Sequence, residues 1–355
     1  MPTTIEWAEE SWNPVIGCAK VSPGCKNCYA ERMSARLANM GQANYQCVVK
    51  LDHERELALP QWNGVVKCLP EKLEQPLKWK KGRTIFVCSM GDLFHKDVPF
   101  DFLDKVFAVI SLCPQHFFII LTKRPERVPD YFATIEQKPS ERDAYDCPHR
   151  SLAPRIGQIA GSVQSNRLHK QEAFSDLASC SLYDRLRFPF RNVVLGTSIS
   201  TQPDADKQIP YLLRCPAAYR MLSVEPLLEA MRLPLFTDDG EDMPPDERRD
   251  WGLPATIIQS YGAPPGTKID QVIVGGESGP GARPCSIDWI RSIGRQCEAA
   301  DVRLFVKQWG SNPCASTSDG TLVFWPKLNH PKGGDPSEWP EDLRVREVPP
   351  WPGKK

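Results

Sequence analysis

The sequence predicts an α/β fold in which parallel strands alternate with helices, and three observations predict it. Short apolar runs rich in β-branched or aromatic residues recur along most of the chain, helical periodicity fills several of the gaps between them, and polar residues gather just beyond their C-terminal ends. Runs this apolar suit strands covered by helices on both faces. Repeated strand-helix units over this length form a (β/α) barrel, partial or complete, or an open doubly wound sheet.

The strand candidates follow in order. They are Thr84 to Ser89 (TIFVCS), Phe117 to Thr122 (FFIILT), Asn192 to Ser198 (NVVLGTS), Arg220 to Val224 (RMLSV), Gln271 to Gly276 (QVIVGG) and Arg303 to Gln308 (RLFVKQ). Such runs are short for helices and are closed by polar or glycine-containing turns. Helical spacing covers Phe102 to Leu112 and Asp288 to Ala300, with a shorter version from Asp204 to Leu213. After the strand candidates come Ser89-Met90-Gly91-Asp92, Thr122-Lys123-Arg124, Ser198-Ile199-Ser200-Thr201, Glu225-Pro226, Gly275-Gly276-Glu277-Ser278-Gly279 and Lys307-Gln308-Trp309. In a barrel these ends converge on one face, where binding and catalytic groups collect.

Two stretches break the alternation. From about 137 to 188 the chain is polar, carries Arg142, Arg150, Arg155, Arg167, Arg185 and Arg187, and lacks a long apolar run, which marks an insertion beside the barrel. Its arginines form either a solvated helical face or a phosphate-binding surface. A second polar loop spans Thr237 to Gly266. From Ser311 onward the chain is rich in Pro and Trp, as in a tail that wraps the barrel surface without forming a domain. The expected organisation is therefore a barrel over 1–310, with its insertion, and an irregular tail over 311–355.

Lysine plus arginine total 44 and aspartate plus glutamate total 44, so no global field advertises a polyanionic partner, and any nucleic-acid contact must be local. No stretch approaches the length of an apolar membrane span and the first residues do not read as a leader, so a soluble cytoplasmic protein is expected. Thirteen cysteines, an odd number scattered along the chain, do not read as a secreted disulfide framework. Cys88, Cys113 and Cys215 lie in apolar patterns, where a thiol behaves as a small hydrophobe.

Only the cysteines near the N-terminus have ligand spacing. In NPVIGCAKVSPGCKNCYAER, six residues separate Cys18 from Cys25 and two separate Cys25 from Cys28, so a short loop brings three thiolates towards one centre. Gly17 and Gly24 precede ligand candidates and ease tight turns, and Ala30 to Leu37 are helix formers, so the loop runs into a helix N-terminus that favours negative charge. A [4Fe-4S] cluster with three protein ligands keeps one iron open for a cofactor, whereas structural zinc needs a fourth donor, for which Cys47, His53 and Cys68 are candidates. Spacing alone leaves both metals open.

The string NPxxGC followed by GCxxCYAER resembles the cluster loop of radical S-adenosylmethionine (SAM) enzymes, especially the spore-photoproduct-lyase-like branch, in which a tyrosine follows the last cysteine. The usual gap between the first two cysteines is three residues, and here it is six. The segments WNPVIGCAKVSPGCKNCYAE, SMGDLFH, LTKRPER, NVVLGTSIST, RMLSVEPLL, VIVGGESGPGARP and FVKQWG resemble a narrower three-Cys-motif family of phage and prophage proteins of unassigned activity. The resemblance implies a radical-SAM-like (β/α) barrel, a [4Fe-4S] cluster on Cys18, Cys25 and Cys28, SAM as cofactor, and an electron donor such as flavodoxin or ferredoxin. It further implies that Ser89, Lys123 and Ser198 serve the SAM carboxylate and ribose. In such a site Tyr29 either packs on adenine or is a core aromatic, and Asp92 and Glu225 are candidates for the amino group or ribose hydroxyls. Gly275, Gly276 and Glu277 then let backbone approach the cofactor, and Lys307 and Gln308 face substrate. The expected activity is hydrogen abstraction from a nucleic acid or nucleotide, in the manner of phage DNA base modification or repair. The alternative is a zinc-stabilised, non-catalytic module that binds nucleic acid or protein.

Overall fold

The computed structural model describes residues 5–136, 189–235, 267–317, 321–324 and 328–348. The expected insertion at about 137–188, the polar loop from Thr237 to Gly266, Trp325 and Trp351 lie outside the described residues. Seven strands form the main sheet: β1 (Glu10–Trp12), β2 (Thr84–Val87), β3 (Phe117–Thr122), β4 (Val193–Ile199), β5 (Tyr219–Val224), β6 (Gln271–Gly275) and β7 (Arg303–Gln308). Their order in space is their order in sequence, and every neighbouring pair is parallel. The sheet curls into a half-barrel: among the described residues β1 and β7 do not pair, so the barrel is partial.

Five helices of eight residues or more are described: α1 (Tyr29–Asn39), α2 (Phe100–Ser111), α3 (Arg127–Glu136), α4 (Gln202–Arg214) and α5 (Ile287–Ala299). The last two and α2 lie within a residue or two of their expected bounds. Side chains alternate along each strand, and the two faces of the sheet have different partners. On the helix-covered face, Ile85, Val87, Phe118, Ile120, Leu195, Leu222, Val272 and Leu304 pack against Val106, Ile110, Ile209, Ile290 and Ile293. On the other face Phe117, Ile119, Val194, Met221, Ile273 and Phe305 form a separate cluster closed by Trp7 and Ala8. Each such side chain contributes about 1.5–3 kcal/mol on full burial, which is why all of these strands read as unbroken apolar runs.

β1 escapes that signal. It has three residues, two of them polar, and is fixed by its neighbours: Cys88 N donates to Trp12 O at 2.8 Å, Glu9 N to Thr84 O at 2.9 Å, and Trp12 Nε1 to Lys72 O at 2.8 Å. The connection from β1 to β2 holds the cysteine loop, α1 and an antiparallel hairpin of Val49–Asp52 with Leu57–Trp62. Glu31 on α1 is buried and accepts from Trp62 N at 2.8 Å and from Lys20 Nζ at 2.8 Å, which binds hairpin, helix and loop into one unit.

The tail is not merely laid on the surface. Pro313–Ser316 joins Cys285–Ser286 and Leu322–Phe324 in a small second sheet. Further on, Val306 N donates to Val345 O at 2.8 Å and Glu347 N to Leu304 O at 2.9 Å, so this segment covers the free edge of β7. Arg346 lies over the rings of Phe305 and Trp339 and pairs with Glu6 at 3.5 Å, spanning from β7 to the segment that precedes β1.

Candidate functional site

The alternation that fills the helix-free face with apolar residues continues to the strand ends, where it turns polar. Stepping by twos from Ile119 reaches Lys123, from Val194 reaches Ser198, from Met221 reaches Ser223 and Glu225, from Ile273 reaches Gly275, and from Phe305 reaches Lys307. The same face is therefore a dry floor below and a polar mouth above.

The cysteine loop lies across that mouth and is tied to strand ends on both sides. On the β2-β3 side, Arg124 is buried, donates from Nη1 to Asp92 Oδ2 at 2.8 Å and from Nη2 to Ala19 O at 2.8 Å, and places Nη1 3.6 Å from Cys18 Sγ. Asp92 also accepts from Thr122 Oγ1 at 2.7 Å, Phe94 N at 3.0 Å and Lys123 N at 3.1 Å. On the β4 side, Ser22 Oγ donates to Asp204 Oδ2 at 3.0 Å and Gly24 packs so closely that an added Cβ would sit 2.0 Å from Ser200 Oγ. On the β6 side, Arg283 grips Glu277 through Nε and Nη2 at 2.9 and 2.8 Å and donates from Nη1 to Pro23 O at 2.9 Å. Asn27 Nδ2 adds a bond to Glu277 Oε2 at 2.9 Å, and Arg32 Nη2 one to Ser278 O at 3.4 Å.

Charge follows the same geometry. Burial, with the nearby Asp92 carboxylate, pushes the Cys18 thiol up to about 12 against the opposing pull of Arg124. Burial also raises Cys28, more than the Glu31 and Ala30 amides lower it. Lys123 donates from Nζ to Ser198 O and Ser198 Oγ, both at 2.9 Å, and burial depresses its ammonium although Cys25, Asp204 and Cys28 pull the other way. For Glu277, burial alone would raise the carboxyl, but the hydrogen bonds and charge of Arg283, helped by Asn27, hold it below the usual range.

The other expected residues take these places. Ser89 Oγ donates to Asn13 Oδ1 at 3.2 Å. Glu225 pairs with Lys307 at 3.0 Å, and its backbone oxygen accepts from Ser198 Oγ at 3.3 Å. Gln308 Nε2 donates to Gly276 O at 2.9 Å. Gly275 and Gly276 admit close approach by the protein's own atoms: an added Cβ would lie 2.8 Å from Glu225 Oε1 at Gly275, and 2.1 Å from Trp309 O at Gly276. Tyr29 is 60% exposed at the start of α1, next to Cys28. Asp92 and Glu277 were expected to meet cofactor, and both spend their oxygens on protein donors. Arg124, Arg283, Asn27, Asn13 and Asp204 had no assigned role; Arg124 follows Lys123 in a strand-end string, which was a signal for it, and the other four had none.

Three thiols in one loop, two cations facing them and a dry floor beneath suit an anionic metal-thiolate group in the kind of donor they offer. Their placement is looser than a closed shell: among the described residues no three His, Cys, Asp or Glu side chains are gathered as a ready-made metal site. Cys18, Cys25 and Cys28 are all free, partly buried thiols. The zinc candidates lie elsewhere, with Cys47 exposed and donating to Asn44 O, His53 in an exposed turn, and Cys68 in a two-residue strand opposite Val15.

Fold and site define the class as a parallel α/β half-barrel with a three-cysteine loop across its mouth. The family model described as a protein of unknown function (DUF5131) matches residues 2–323, and the chain belongs to that family. No curated protein and no solved structure matches the chain. No described helix is long and apolar enough to cross a membrane.

Proposed function

We propose that the chain is a radical SAM enzyme that holds a [4Fe-4S] cluster on Cys18, Cys25 and Cys28 and acts by hydrogen abstraction on a nucleic acid or nucleotide. The observation that carries this reading is the pair Lys123 and Arg124 at the end of β3: Arg124 Nη1 lies 3.6 Å from Cys18 Sγ, and Lys123, held by Ser198, feels the charge of Cys25 and Cys28. Held by Cys18, Cys25 and Cys28, such a cluster would supply the electron for reductive cleavage of SAM and so the means of hydrogen abstraction.

The protein's own groups then have separate tasks. Lys123 and Arg124 offset the negative charge of thiolates that burial would otherwise keep protonated. Ser198, Ser89 and the Lys307-Glu225 pair line the mouth where a carboxylate, an ammonium and ribose hydroxyls need partners. The apolar floor of Phe117, Ile119, Val194, Met221, Ile273 and Phe305 keeps water from rising through the half-barrel. The substrate class rests on the resemblance to the lyase-like branch, as does a flavodoxin or ferredoxin as electron donor.

Anaerobic reconstitution with iron and sulfide tests the reading. The expected result is near four irons and four sulfides per chain, an EPR signal that changes when SAM is added, and release of 5'-deoxyadenosine with reductant, faster with the right nucleic acid. One zinc per chain, no sulfide and a protein fourth donor overturn it in favour of the zinc-stabilised binding module.

A further inference from the structure

We infer that the cysteine loop is assembled before any metal arrives, and that Arg283 is the residue that positions it. The inference deepens the reading above and rests on it only for the identity of the metal. Loops that metal itself organises have few other tethers, because binding energy then serves as folding energy. This loop has tethers on three sides. Arg124 holds Ala19 O, Asp204 holds Ser22 Oγ, and Arg283 holds Pro23 O.

The Arg283 tether is the most constrained of them. Its guanidinium forms a two-point fork with the Glu277 carboxylate, whose Oε2 also accepts from Arg283 N at 3.0 Å and Asn27 Nδ2 at 2.9 Å. Glu277 is buried and leaves the end of β6, a strand paired on both edges, so the fork has a rigid base. The one guanidinium nitrogen outside the fork points to the loop, 2.9 Å from Pro23 O. Asn27 is also held by Gly281 O at 3.1 Å. Pro23 and Asn27 flank Cys25, and Asn27 precedes Cys28, so one buried carboxylate and one arginine set the path of two of the three thiol-bearing residues. A lysine at 283 could keep the ion pair but not both the fork and the third bond.

Hydrogen exchange of the metal-free full chain tests this, read on peptides that cover residues 17–28. The wild-type loop is expected to be protected, and Arg283→Ala to raise its exchange at least about tenfold while strands β3 to β5 stay unchanged. Arg283→Lys should restore part of the protection, a graded rescue that general loss of stability does not give. Arg291→Ala, which breaks a surface pair with Asp342 on the far side of α5, should leave the loop unchanged. If Arg283→Ala does not fold, Arg283→Lys and Asn27→Ala carry the same comparison. Fast exchange in the wild-type loop, or equal protection in the Arg283 variants, overturns the inference. Iron bound after reconstitution is measured on the same samples: if no sample binds iron, the radical SAM reading fails, while the exchange result still decides whether the loop is preassembled.

Discussion

Arg124 and Asp92 form a buried ion pair at 2.8 Å, and the same guanidinium carries the carbonyl of Ala19 and reaches Cys18 Sγ. The charge is held in place by four donors to Asp92: Thr122 Oγ1, Phe94 N, Lys123 N and Arg124 itself. Removing one member of such a pair leaves the other without a counter-charge. Asp92→Asn is therefore expected to lower stability by about 3 kcal/mol in urea denaturation, and the Asp92→Asn, Arg124→Met double variant to lose less than the sum of the two single changes.

Burial sets the thiols apart from one another. With Cys18 pushed to about 12 and Cys28 raised, little of either is thiolate at pH 8, whereas Cys47 is exposed. Alkylation of the metal-free protein by iodoacetamide, followed by mass spectrometry, is expected to label Cys47 at least about ten times faster than Cys18. Equal rates would show that the loop is open to solvent.

The Glu277 carboxyl is held below its ordinary value of 4.5 in the fold. A carboxyl depressed by folding stabilises fully above its unfolded value, and that contribution fades as the pH drops through the lower folded value. Wild-type stability should thus fall below about pH 4.5, and Glu277→Gln should flatten that part of the acid limb. Thermal melts from pH 6 to pH 3 measure it.

Two glycines separate by sign. At Gly276 a methyl group meets Trp309 O at 2.1 Å and Cys285 Cβ at 2.8 Å, both fixed, and Gly276→Ala is expected to cost about 2 kcal/mol or more. At Gly294, inside α5, the nearest atom is Leu304 Cδ2 at 3.5 Å, an ordinary contact. Gly294→Ala should stabilise by about 0.5–1 kcal/mol through helix propensity. Chemical denaturation of both variants checks the pair.

A chain that stops after Phe324 loses the segment that pairs with β7 and the Arg346-Glu6 contact. An uncovered parallel edge strand of RLFVKQ is a template for intermolecular pairing. Light scattering on the truncated protein is expected to show association at concentrations where the full chain remains monodisperse.

What the sequence disclosed follows from where the physics is local. Phe117 to Thr122 or Gln271 to Gly275 read as strands because both faces are buried, so their composition alone marks them. Glu10–Trp12 does not, because three residues carry no period and the strand exists only through its pairing with Thr84–Val87. Cys18, Cys25 and Cys28 stood out by spacing within a short loop. The roles of Arg124 and Arg283 did not, because their loop partners lie 105 and 260 residues away. Asp92 and Glu277 are legible as strand-end acids, whereas their pairing with Arg124 and Arg283 depends on the folded chain.

The bond from Arg283 to Pro23 has a bearing on how the molecule is made. The cysteine loop acquires its final setting only once a residue 260 positions after Pro23 has been synthesised and docked. An unfinished or misdocked nascent chain would offer thiols on a slack tether, so the setting of the loop reports on completion of nearly the whole half-barrel.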